Sequence, residues 1–146
     1  MLLVQRCSSK EQNVQSLLAK IASFEKQEKI TVQILSPDAI YSPLCVKAAF
    51  EMSGEKNGLL TAISLTSNFS SALKVAGAKD AQDFVLAAWG KKTNWAKIAA
   101  ALGIKKLAWG KKNIAHFSKF YGISKEALAL YSMEKLIIEK MALARL

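Results

Sequence analysis

The chain has 146 residues, about half of them hydrophobic (51%), with few glycines and prolines and a formal charge of +10. That length and apolar content match one globular domain with a single core, and exclude a long disordered tail. No apolar run approaches the roughly 18 residues that a membrane-spanning helix needs, and Cys7 and Cys45 have no CxxC spacing, which points to a reduced, cytoplasmic setting. In chain order, Leu2 to Cys7 predicts a strand. Ser9 and Gln12 have the form of a capping box for a helix from Lys10 to Gln27 with Val14, Leu17, Leu18, Ile21 and Phe24 at helical spacing. Ile30 to Leu35 reads as a second strand closed by Ser36-Pro37, and Ser42-Pro43 supplies a cap and a first-turn proline for a helix ending near Gly54.

Leu59 to Leu65 is apolar and β-branched and reads as a third strand, after which Ser67 or Asn68 caps a short helix that Gly77 ends in the C′ position. Asp83 to Trp89 predicts a fourth strand, and Thr93 or Asn94 opens a helix that places Ile98, Ala101 and Leu102 on one face and stops at Gly103. A short fifth strand is expected at Lys106 to Trp109, then a helix from Lys112 to Tyr121, a break at Gly122, and one long last helix capped by Ser124. The expected fold is a single domain of residues 1–146, α/β or α+β. Its central mixed sheet has four to five strands flanked by helices, and a long C-terminal helix closes the chain.

The positive charge is segmental. From Phe84 to Lys125 there is no acidic residue but nine lysines, including Lys91, Lys92, Lys111 and Lys112. Such a window suits a polyanion, and equally a solvated surface. The pentapeptide Ala-Trp-Gly-Lys-Lys occurs at 88–92 and again at 108–112 within it. The flanks of the two copies share little, so no structural unit repeats. Their lysines suit RNA phosphates, and Trp89 and Trp109 are expected in the core.

Catalytic apparatus is not visible. No phosphate loop, dinucleotide-binding turn, metal-binding helix or Cys/His cluster is present, and the lone histidine, His116, has no Ser/Asp arrangement around it. The close pair Asp80 and Asp83 has no further acid-base groups beside it. The chain reads as a non-enzyme without cofactor or metal.

The stretch SALKVAGAKDAQDFVLA from Ser71, with LSPDAIYSPLCVKAAFEMS upstream and LIIEKMALARL at the end, resembles the family of kinase-binding proteins that form the smallest subunit of the KEOPS complex. The resemblance runs from the first strand to the last helix. Its most specific piece is Ala72 to Asp80, which is similar to the family's A-hydrophobic-K-x-x-G-hydrophobic/A-K-D turn. The resemblance implies a non-catalytic subunit of the machine that installs threonylcarbamoyl on the adenosine beside the anticodon of tRNA. Such a subunit binds the single-stranded CCA end of tRNA and docks on and activates a kinase-like ATPase. It implies an RNA contact at Val75, Gly77, Ala78, Lys79 and Asp80. Ser67 and Asn68 fall in Leu65-Thr66-Ser67-Asn68-Phe69, where many relatives carry Gly-x-Arg-Gln-Ile, so Ser67 stands in place of the arginine. Lys91, Lys92, Lys111 and Lys112 are the cations expected to compensate, because phosphate affinity follows total charge.

The last helix carries Leu130, Met133, Ile137, Met141 and Ala144 on one stripe, Ala129, Leu136 and Leu143 on a flank, and Tyr131 and Ile138 on the other side. That apolar coverage exceeds what one core contact needs, so the helix is either sandwiched or meets a partner. With the resemblance, Val46, Phe50, Leu136, Lys140, Leu143 and Ala144 are the expected kinase-facing residues. The competing function from the residues alone is a stand-alone basic nucleic-acid-binding domain without a kinase partner.

Overall fold

The computed structural model describes residues 2–53, 56–66, 68–110 and 112–145. In chain order the elements are β1 (Leu2–Ser9), α1 (Val14–Glu28), β2 (Thr31–Leu35), a 3-10 turn (Pro37–Ala39), α2 (Pro43–Ser53), α3 (Lys56–Ser64) and α4 (Phe69–Ala76). They continue with β3 (Phe84–Trp89), α5 (Trp95–Leu102), β4 (Ile104–Lys106), α6 (Ile114–Tyr121), α7 (Lys125–Leu130) and α8 (Met133–Ala144). The fold is α+β. The chain forms two compact units, one of residues 1–37 and 77–109 and one of residues 38–76 and 110–146.

The first unit holds the sheet, in the order β2-β3-β1-β4. All three pairings are antiparallel, where the alternation of strands and helices had suggested a mixed sheet. The registers Cys7↔Phe84, Leu3↔Ala88, Val32↔Ala88 and Ser9↔Ile104 put Leu3, Cys7, Val32, Ile34, Phe84, Leu86, Ala88 and Ile104 on one face. That face packs with Leu17, Ile21 and Phe24 of α1 and Ile98 and Leu102 of α5 in one core. Each fully buried Leu, Ile or Phe there contributes about 1.5–3 kcal/mol of burial. Leu18, expected on the same stripe of α1, is exposed.

The start of α1 differs from expectation. Ser9 is the last residue of β1, its hydroxyl donates to the Ala81 carbonyl at 2.7 Å and accepts from the Glu11 amide, so it is not free to cap. Asn13 caps instead, its Oδ1 accepting from the Ser16 amide at 2.8 Å. At α5 the expected signals act as read: Asn94 caps the start, and Gly103 closes the end in the left-handed region. Ala101, expected on the packed face of α5, is exposed. The fifth strand expected at Lys106 to Trp109 is β4, two residues earlier, and only the Leu107 amide extends its pairing by donating to Arg6 O.

The second unit is helical. Residues 59–65, expected as a strand, belong to α3 and the turn after it. Leu59, Leu60, Ala62 and Ile63 are all buried, which is the spacing of one helix face, and α3 contacts α2, α4 and α8. The expected long last helix is two helices. Tyr131 is extended (φ −136°, ψ 155°) at the end of α7, and Ser132 caps α8 by accepting from the Lys135 amide. Met133, Ile137 and Met141 are buried, whereas Leu130 and Ala144, assigned to the same stripe, are exposed. Among the described residues no helix is long and apolar enough to cross a membrane.

Candidate nucleic-acid interface

The turn that links α4 to β3 is held at both ends. In the first unit Gly77 makes an isolated bridge with Leu35, and Ala81 O accepts from both the Ser9 amide (2.9 Å) and the Ser9 hydroxyl. Between these anchors the chain bulges outward, and Lys79 and Asp80 are exposed. Asp80 shapes the bulge: its Oδ1 accepts from the Gln82 amide at 2.8 Å and its carbonyl from the Asp83 amide. Residues 78–81 line one wall of a shallow hollow, and residues 12–15, where α1 begins, line the other. Lys79 and Asp80, of opposite charge, and the first residues of a helix that carries no acidic residue in its first turn therefore line one depression.

Two expectations about this turn are corrected. Gly77 does not adopt a positive φ, and it is buried in its bridge, so it neither terminates α4 in the left-handed region nor offers its amide to RNA. Lys79 and Asp80 are the exposed residues of the turn instead, with Ala78 half-buried against the sheet core.

In the second unit Asn68 caps α4, accepting from the Ser71 amide at 3.0 Å, and is exposed. Val75 is exposed on α4, together with Phe69 and Leu73, which sequence reasoning did not single out. Ser67 and Lys111 lie outside the described residues.

Of the remaining cations, Lys91 and Lys92 stand exposed in the turn after β3. Lys97 is less available, its Nζ lying 2.5 Å from Glu28 Oε2. Lys106 sits over the Trp95 ring at 5.3 Å, and in the second unit Lys112 sits over Tyr41 at 4.4 Å. Trp89 and Trp109 are half-buried rather than in the core.

The expected partner-facing residues all belong to the second unit. Val46 is fully buried and cannot reach a partner, because its position on α2 faces inward with Cys45 and Ala49. Phe50 and Leu136 are half-buried, while Lys140, Leu143 and Ala144 are exposed.

Asp83, both cysteines, Tyr121 and His116 are each engaged or desolvated. Arg6 holds Asp83 through two bonds, Nε to Oδ1 at 2.8 Å and Nη2 to Oδ2 at 2.7 Å, and donates from Nη1 to the Trp109 carbonyl. Burial pushes the Cys7 thiol up to about 12 and raises that of Cys45, so both are neutral and poor nucleophiles at neutral pH. Burial likewise raises Tyr121, whose hydroxyl donates to the Ala39 carbonyl. His116 Nε2 lies 2.6 Å from the Asp38 carbonyl. Among the described residues no group of three His, Cys, Asp or Glu side chains could hold a metal ion. No protein-family model matches the chain, and no curated protein is significantly similar to it.

Proposed function

We propose that this chain is a non-catalytic, cytoplasmic subunit of KEOPS type, which binds the single-stranded 3′ CCA end of tRNA and docks on and activates a kinase-like ATPase. The observation that carries the RNA part is the anchored bulge at residues 78–80, which presents Lys79 at a hollow beside the start of α1. Single-stranded RNA is recognised through splayed bases and exposed phosphates, and a depression lined by Lys79 and Asp80 offers a cation for phosphate and an acceptor for base edges. Lys91 and Lys92 add sequence-independent attraction.

The partner part is supported by exposed apolar side chains on the second unit, Leu143 among them. Leu143→Arg is expected to abolish binding of the ATPase subunit while leaving the fold intact, as read by pull-down and circular dichroism.

The test of the RNA reading is binding to full-length tRNA and to the same tRNA trimmed of its CCA end, over a salt series. A marked loss on trimming, reproduced by Lys79→Ala, supports it. Equal binding of both RNAs would overturn CCA recognition and leave the stand-alone basic nucleic-acid-binding domain as the better account.

A further inference from the structure

We infer that the outer edge of β4, residues 104–108, is a docking site for an extended acidic segment of another protein, which joins the sheet there as a further strand. This is independent of the RNA and ATPase roles proposed above.

The two edges of the sheet are treated differently. β2 lies at one edge and β4 at the other. An open edge presents unpaired N–H and C=O groups, which proteins ordinarily cover or blunt. The β2 edge is closed from within the chain: Glu25 Oε2 accepts from the Val32 amide at 3.1 Å, and Gly77 bridges Leu35.

At β4 the register with β1 decides which groups face outward. The Leu107 amide donates to Arg6 O at 2.8 Å, so residues 105 and 107 turn their backbone groups toward β1. By the alternation of an antiparallel ladder, residues 104, 106 and 108 turn theirs away from it. Among the described residues the Lys106 N–H and C=O have no partner. Lys105, Lys106 and Ala108 are exposed. An incoming strand therefore finds a donor and an acceptor already aligned by β1, the usual basis of recognition by strand addition.

Charge selects the occupant. Successive side chains of a strand point to opposite faces, so Lys105 and Lys106 stand one on each side of the edge, and neither β4 nor α5 carries a carboxylate. Lys106 sits over the Trp95 ring at 5.3 Å, which keeps its ammonium beside the edge. Lys20, close to Gly103 at the head of β4, is paired with Glu11 at 2.8 Å, whereas Lys105 and Lys106 have no ion pair among the described residues. Two copies of this chain joined through β4 would oppose lysine to lysine, while a strand with two adjacent carboxylates meets one lysine on each face. Ile104 is buried and Leu107 half-buried, which leaves a bilayer no large apolar side chain to take up. The phosphates of a nucleic acid supply acceptors only and leave the outward C=O groups unmatched.

The probe is the capped hexapeptide Val-Thr-Glu-Glu-Val-Thr, titrated against the full chain by fluorescence anisotropy, with protection of the Lys106 amide from hydrogen exchange as the second readout. The acidic peptide is expected to bind and to protect that amide. The same peptide N-methylated at alternate residues, and the peptide with lysine in place of glutamate, are each expected to bind at least about tenfold more weakly. Lys106→Pro, which removes an outward N–H from an edge strand, should weaken binding more than Lys106→Ala, with folding of both checked by circular dichroism. Lys105→Glu with Lys106→Glu should reverse the preference toward the lysine peptide. No binding of the acidic peptide at millimolar concentration overturns the inference. Equal binding of the N-methylated peptide overturns it too, since charge alone would then hold the segment. Self-association in sedimentation that Lys106→Pro abolishes, or oligouridylate that displaces the peptide and protects the same amide, would overturn it by naming a different occupant.

Discussion

The pentapeptide's first three residues, Ala88 to Gly90 in one copy and Ala108 to Gly110 in the other, sit in unlike surroundings. In the first copy Ala88 is fully buried in the sheet, opposite Leu3 and Val32, and Trp89 ends β3 opposite Leu2 and Thr31. Gly90 then turns with φ +144°, and the Thr93 hydroxyl donates to its carbonyl. In the second copy Ala108 is exposed, and Trp109 is tied by its carbonyl to Arg6 rather than by a ladder. Gly110 is left-handed at φ +72°, and Lys112 stacks on Tyr41. Identical local sequence yields a strand end in one place and an irregular link in the other, because the strand partners are supplied by β1 and β2 and not by the pentapeptide.

The sharpest break of the comparison is a charge at the two alanines. Ala88→Asp buries a carboxylate in the sheet core and is expected to cost more than about 4 kcal/mol or to prevent folding, while Ala108→Asp should stay within about 0.5 kcal/mol. Urea denaturation of both variants reads this, and equal costs would mean that the two alanines share one environment.

The glycines come next. A Cβ at Gly90 would lie 3.0 Å from Lys29 O and 3.2 Å from Ile30 Cα, in a backbone region that side chains rarely adopt. Gly90→Ala is expected to cost about 2–3 kcal/mol, against about 1–2 kcal/mol for Gly110→Ala, whose left-handed φ is the milder strain. Thermal unfolding of the pair should reproduce that order.

Arg6→Gln removes the two-bond clamp on Asp83 and the tie to Trp109, and should lower stability by roughly 1–2 kcal/mol, since the pair is partly solvated. The Trp109 fluorescence should shift toward that of an exposed indole while Trp89, held by two ladders, does not. Single-tryptophan variants would separate the signals, and an unshifted Trp109 would show that the clamp does not hold the second copy.

The smallest effects fall on RNA affinity. If Lys91 and Lys92 contact phosphate, replacing both by alanine lowers the slope of log affinity against log salt by about 0.7 for each contact on a single strand. Lys112→Ala should change affinity less, because its ammonium is already stacked on Tyr41. An unchanged slope in the double variant would remove the first copy from the RNA surface.

Much of the helical punctuation was legible in the sequence, because caps and stops are local. Asn94 with Gly103, Ser124, Asn68, and Gly122 after α6 act where the residues predict them. The candidate site was legible in part. The exposure of Lys79 and Asp80 agrees with a solvent-facing turn, but the burial of Gly77 comes from its bridge to Leu35, 42 residues away, which no local pattern encodes. The exposure of Leu130 was hidden inside an apparently continuous helical stripe, and that of Tyr131 on the opposite side, since a helical wheel does not show the break before Ser132.

What the sequence determined by itself was the α+β class, most element positions, the segmental positive charge and the ends of helices, all of which depend on neighbours within a few residues. Tertiary structure alone decided the rest. Residues 59–63 became a helix because four apolar side chains found helical neighbours in α2, α4 and α8, which offer no strand edge to pair with. Ser9 joined β1 instead of capping α1 because Ile104 and Ala81 supplied its partners. The antiparallel order β2-β3-β1-β4 follows from ladder hydrogen bonds between segments as much as 100 residues apart, and a backbone donor or acceptor carries no mark in the sequence of which distant strand will satisfy it.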